Sequence, residues 1–237
     1  MNKLSLLKKI FQSICFFLIL ILQINCQQNQ NNISTLNNDM LSNGVVMDQP
    51  IYKSQMYADL KQHTFTIEGE DSNPSTSFDN KYLLFTSTKN FKSPQIFIKD
   101  INGDRKLMQK TLSLDNNITP KFSSDSKKIA FSSNRNGNWD IFIIETEQNG
   151  AIWQVTDNKN DDMYPSWSPD GKSIVYCSID EKGDSELWII ELASRSLTNL
   201  GPGIFPEWGP KGECKNKILF QRPRYRNENW YGIWIVD

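Results

Sequence analysis

The chain has 237 residues, with 26 Lys and Arg against 27 Asp and Glu, and a formal net charge of −1. A near-neutral chain with no basic domain speaks against nucleic acid as a partner. One histidine and four cysteines speak against His- or Cys-rich metal centres and leave no disulfide framework to read, and the sole imidazole, His63, reads as an exposed strand residue and not as a triad member.

The first 25 residues read as an export signal: Lys3, Lys8 and Lys9 are followed by an unbroken apolar run from Ile14 to Leu22. The run falls short of the ~20 residues that span a bilayer, and its flanks suit a signal peptide. Leu22-Gln23-Ile24-Asn25-Cys26 resembles a lipoprotein processing site, with Cys26 as the lipidated residue; plain secretion is the alternative. Residues 26–60 form a tether and lead-in dominated by Asn and Gln, too polar to build a core.

Residues 61–237 are organised by a repeat whose clearest copy is Tyr164-Pro165-Ser166-Trp167-Ser168-Pro169-Asp170-Gly171-Lys172, then Ile174-Val175-Tyr176. Pro-Asp-Gly is turn chemistry between two strands. Related copies begin at Pro74, Pro120 and Pro206, with Asn80 and Ser126 standing where Gly171 and Gly212 take the left-handed turn position. The aromatics ending the second strand, Phe85, Phe131, Tyr176 and Phe220, recur at intervals of 46, 45 and 44 residues. That period, with about four short strands per unit, predicts propeller blades. The third strand of each unit, such as Ile141-Phe142-Ile143, is apolar on both faces and needs cover on both. Asn102-Gly103 and Asn149-Gly150 signal hairpins into a fourth strand.

Pro-x-Trp-Ser-Pro-Asp-Gly-Lys, followed by an Ile/Val-aromatic strand and a Glu-Leu-Trp-Ile strand (Glu186 to Ile189), resembles the TolB-type β-propeller repeat. Asn134 to Phe142 is similar to the same family's connection between second and third strands. The expected fold is all-β, a propeller of four TolB-like four-stranded blades. The fourth unit stops after its third strand, so residues 63–67 (His63 to Ile67) are expected to pair with it and close the ring. An open arc completed by a second copy, a homodimer, is the alternative.

No Gly-x-Ser-x-Gly elbow, phosphate loop or zinc-spaced cysteine pair occurs, and no cofactor or metal is expected. Asp161 and Asp162, with Asp157, lie between two units: a solvated acidic loop, a partner contact, or a weak calcium site lacking EF-hand spacing. Arg222, Arg224, Tyr225 and Trp230 mix arginines with aromatics, the types enriched at binding hot spots. With Arg135 they complete the candidate partner-binding set. The resemblance implies an envelope adaptor. The expected protein is therefore a non-catalytic lipoprotein, periplasmic or at the cell surface, binding a protein, peptide or envelope polymer. The alternatives are a carboxylate-dependent glycan hydrolase or lyase, and a surface adhesion protein.

Overall fold

A computed structural model describes residues 61–89, 91–103, 107–147, 150–223 and 231–237. The signal sequence, Cys26 and the tether lie outside these residues, as do Arg224, Tyr225 and Trp230. The chain divides into two units between His63 and Thr64, and every described strand belongs to the second.

The strands fall into four antiparallel sheets, one per repeat. The first contains β1 (Asp71–Thr76), β2 (Tyr82–Ser87), β3 (Gln95–Asp100) and β4 (Leu107–Gln109). The second contains β5 (Asn117–Phe122), β6 (Lys128–Ser133), β7 (Asp140–Glu145) and β8 (Ile152–Gln154). The third contains β9 (Asp161–Trp167), β10 (Ser173–Ile179), β11 (Ser185–Glu191) and β12 (Leu197–Pro202). The fourth contains β13 (Ile204–Trp208), β14 (Ile218–Pro223) and β15 (Tyr231–Val236). In every sheet the strands pair in chain order, the meander of a propeller blade.

A hydrogen-bond net encoded in Ser-x-Asp closes the first turn of three blades. Ser168 donates to Asp170 Oδ1 at 2.6 Å, that oxygen accepts Lys172 N–H at 3.0 Å, and Ser168 Oγ accepts Ser173 N–H at 2.9 Å. Ser123–Asp125 and Ser77–Asp79 repeat it at 2.6 and 2.7 Å. The fourth position of the turn takes positive φ in each copy: Asn80 at 57°, Ser126 at 59° and Gly171 at 71°. The fourth blade has Gly209 and Lys211 in place of the serine and aspartate, and a longer turn.

Each first strand also bulges at its proline. Asn73, Thr119, Tyr164 and Phe205, each preceding that proline, have φ of 50°, 52°, 60° and 55°, and the pairing register breaks there in all four blades. Proline removes a ladder donor and so belongs at a bulge. The bulge bends the strand and re-aims the residues beside it.

Blades pack face to face. Leu84, Ile96 and Ile98 of the first meet Ile129, Phe131, Phe142 and Ile144 of the second. Ala130, Ile141 and Ile143 meet Trp167, Ile174, Tyr176 and Ile190 of the third. Cys177 and Leu187 meet Phe220 of the fourth. Lys121 on β5 and Glu207 on β13 hold the same place after the proline and join in a 2.6 Å ion pair linking the second and fourth blades.

The expected closing strand does not form. Residues 61–66 belong to no strand, and β15 has no fourth strand beside it among the described residues. The segment instead follows the first blade: Thr66 Oγ1 donates to Asp71 Oδ1 at 3.0 Å, and Lys99 lies 5.9 Å from the Phe65 ring. Gly69 (φ 109°) then brings the chain against Thr88. Its apolar positions gain little in that place, Ile67 being 98% exposed.

Candidate functional site

Each blade runs down β-strand one, back up strand two and down strand three. The connection between strands two and three therefore shares an end of the molecule with the connection to the next blade. The candidate residues of the second and third blades lie at this end, Arg135 beside Asn117 and the neighbours Asp161 and Asp162 beside Trp139.

Arg135 opens the connection between β6 and β7. Its Nε donates to Ser133 Oγ at 3.0 Å and its Nη2 to Asn117 Oδ1 at 2.8 Å. The guanidinium lies 4.6 Å from the Phe142 ring centroid and 5.6 Å from that of Phe131. Burial pushes its proton affinity down, with Asp115 opposing. Arg135 thus braces the second blade from within, and reaches the first only through Asn117, whose Nδ2 donates to Gln95 Oε1 at 3.1 Å.

Asp161 and Asp162 begin β9. Asp161 Oδ1 accepts Trp139 N–H at 3.0 Å, and Asp162 N–H donates to Trp139 O at 2.7 Å, stitching the third blade to the second. Asn138 Nδ2 donates to the carbonyls of Asn158 and Asn160, at 3.0 and 2.7 Å. Asp162 is fully buried, so it holds the junction from within and presents no charge to a surface partner. Exposed at this end are Asp157, Asn158 and Lys159, and the Glu181–Asp184 turn.

Asp162 has a companion that sequence reading passed over as an ordinary strand start. Asp140, 1% exposed, accepts Gln154 Nε2 on Oδ2 at 3.0 Å and the Thr156 hydroxyl on Oδ1 at 3.3 Å. Asp162 Oδ2 accepts Asn158 Nδ2 at 2.6 Å, while Oδ1 makes no hydrogen bond of full geometry. Burial pushes Asp140 up to about 6, the charges of Asp162 and Asp157 adding and the Thr156 and Gln154 hydrogen bonds opposing. Asp162 is raised as well, by burial first and by Asp161, against the Ser178, Thr156 and Asn158 side chains. Aligning the repeats would have exposed the pair: Asp140 and Asp162 stand where the preceding junction has Gln95 and Asn117.

Arg222, next to last in β14, is partly buried, its guanidinium 5.5 Å from the Trp234 ring. Cys177 is a buried free thiol. Burial raises Cys177 to about 12, with the Asp162 charge adding, so it is an unreactive thiol. Among the described residues no group of three or more His, Cys, Asp or Glu side chains could hold a metal ion.

Four meander sheets packed face to face, each with a bulged first strand and a Ser-x-Asp or equivalent turn, define a β-propeller repeat domain. The chain belongs to the TolB β-propeller domain family, which matches residues 72–224. It is 29% identical over 143 residues to the Tol-Pal system protein TolB of Francisella tularensis subsp. holarctica, covering 58% of this chain and 32% of that protein. The chain thus spans about a third of the length of the curated relatives it matches. TolB from Acinetobacter baumannii superposes with a TM-score of 0.57 at 22% identity, over 69% of this chain and 39% of that one. Oligogalacturonate lyase from Vibrio parahaemolyticus gives 0.54 at 13% identity, over 68% and 48%. At these identities both structures speak to the fold alone.

Proposed function

We propose that this propeller is a non-catalytic binding module of the cell envelope. It takes a protein, peptide or envelope polymer on the end formed by the connections around Asp157 and Arg222, in a TolB-like adaptor role. One observation carries the non-catalytic part. The two carboxylates that the fold brings together, Asp140 and Asp162, are 1% and 0% exposed. Acid–base work on a glycan needs two carboxyl groups that flank the scissile bond, and this pair offers a substrate no access. Similarity to a Tol-Pal system protein supports the adaptor role and the envelope location. Connections on a rigid scaffold are where binding residues concentrate.

The export signal and a lipid on Cys26 belong to the same reading, with residues 26–60 as the tether. Cys26→Ser would then move the protein from the membrane fraction to the soluble fraction. The site itself is tested by crosslinking the tagged full-length protein in its native envelope and identifying what it captures by mass spectrometry. Near-stoichiometric recovery of one or two envelope proteins is expected. Replacing Arg222, Arg224 and Trp230 together by alanine should reduce that recovery severalfold while leaving the melting curve unchanged. Unchanged capture would remove this connection from the site, and recovery of the bait alone would count against an envelope protein as partner.

A further inference from the structure

The junctions between successive blades are built on one plan with different chemistry. Between the first and second blades, Asn117 Nδ2 donates to Gln95 Oε1 at 3.1 Å, and Arg135 supplies a cation to Asn117 Oδ1. The side-chain amides of Gln95 and Asn117 thus have neutral or complementary partners throughout. Between the second and third blades the same two positions are Asp140 and Asp162, and Asp180 stands where Arg135 would be. The pair is buried, no cation replaces the arginine among the strongest influences on it, and Asp162 Oδ1 makes no hydrogen bond of full geometry, the Ser178 and Thr156 hydroxyls being its polar neighbours.

A buried carboxylate oxygen without a well-placed donor is costly, and two buried carboxylates near one another cannot both stay ionised cheaply. A proton removes both costs. Placed on Asp162 Oδ1, it turns that acceptor into a donor facing the Thr156 and Ser178 hydroxyls. Thr156 Oγ1 already accepts Ile141 N–H at 2.9 Å and can pass its own hydrogen to Asp140 Oδ1. We infer that Asp140 and Asp162 hold one shared proton across the Thr156 hydroxyl, and that this proton locks the second blade to the third and leaves as the pH rises.

The surroundings favour retention of the proton. Asp161 on β9 and Asp157 in the connection before it add negative charge. On β10, Tyr176 packs on the second-blade side and Cys177 on the fourth-blade side, and both are un-ionised groups pushed up by burial first and then by the Asp162 charge. Lys159, in the same connection as Asp157, is exposed, and Arg135 is committed to Asn117. The shift of Asp140 to about 6 agrees in direction.

The sign follows from linkage. The folded carboxyl binds its proton more tightly than the unfolded one, whose value lies near ~4. Stability from the lock is therefore full below that value and is lost as pH rises to about 6, where the folded group titrates. The test is denaturant unfolding of the full-length protein from pH 4.5 to 8, beside Asp162→Asn and Asp140→Asn. Amides fill the equivalent junction, so both variants should fold. The wild-type unfolding constant should climb relative to each variant by up to about tenfold per pH unit until the pair is ionised. Protection factors of the amides at positions 141 and 162, which divide out the base-catalysed rise in intrinsic exchange, should fall over the same range in the wild type and stay level in the variants. Parallel profiles for wild type and variants would overturn the proposal. Should neither variant fold, infrared spectroscopy of the wild type decides: a protonated-carboxyl band at pH 5.5 that fades by pH 8 supports the lock, and its absence overturns it.

Discussion

Ser168 and its equivalents show how far one side chain can fix a blade. Its hydroxyl both donates to Asp170 and accepts from Ser173, so it stitches the turn to the following strand. Ser168→Ala should cost about 1 to 2 kcal/mol, since it removes two hydrogen bonds, one of them to a charged group; chemical denaturation would measure it. The aspartates of these turns are lowered, first by the serine hydroxyl and then by the backbone N–H two residues on, with burial opposing. Their contribution is full above the unfolded carboxylate value near ~3.9 and is lost as pH falls through the lower folded values. That sign is opposite to the one for Asp140 and Asp162. Both sets are aspartates in a repeated motif, and only the donors around them differ. The turn role of Asp170 is legible in Pro-Asp-Gly. The burial of Asp162 is not, because its companion is 22 residues away and the acidic run Asp161-Asp162 resembles a solvated loop.

At the level of the strand, the same apolar pattern carries different energetic weight from blade to blade. Ile141 on β7 and Ile233 on β15 occupy one repeat position, yet Ile141 is 0% exposed and Ile233 60%. Ile141 has the third blade laid against it through Trp167, Ile174 and Tyr176. Ile141→Ala should therefore cost about 3 kcal/mol, the transfer term plus a cavity between blades. Ile233→Ala should stay within about 0.5 kcal/mol, as for other surface changes. Denaturation of both variants side by side gives the comparison; equal costs would mean that Ile233 is covered in solution. The strands themselves were legible from the repeat: Phe85, Phe131, Tyr176 and Phe220 are all buried, and the fourth strands follow the expected hairpins. The bulges were written in the sequence as well, in the proline that opens each copy, but alternation of apolar residues does not register them. His63 to Ile67 misleads for a physical reason. Its alternation suits a strand, while Thr66, Phe65 and Gly69 find their contacts on the first blade and leave the edge of β15 without them.

Across the whole domain, neighbouring blades are joined by apolar faces, but the second and fourth are joined by a charge pair that no local pattern announces. Lys121 and Glu207 are 86 residues apart and meet at 2.6 Å with side chains 18% and 13% exposed. Each follows the repeat's proline, where the first and third blades carry Ser75 and Ser166. The bulge presents this position to the interior, so its chemistry decides what crosses the arrangement. Ser166 uses it to accept Trp208 N–H at 2.9 Å, and the Trp167 indole donates to the Lys121 carbonyl at 3.2 Å, so the ion pair sits within a set of contacts linking three blades. Truncating one partner would leave the other charge partly desolvated, and the single changes Lys121→Met and Glu207→Gln should each cost more than half of what the double change costs. A double-mutant cycle by denaturation should return a coupling of about 1 to 2 kcal/mol, within the range for contacting residues. Because the pair is only partly buried, the coupling should shrink as salt is raised. A coupling indistinguishable from zero at low salt would mean that the apolar faces alone set the spacing of the blades. A coupling of the expected size would mean that the charge pair helps to fix the second blade against the fourth, beside the apolar faces that join neighbouring blades.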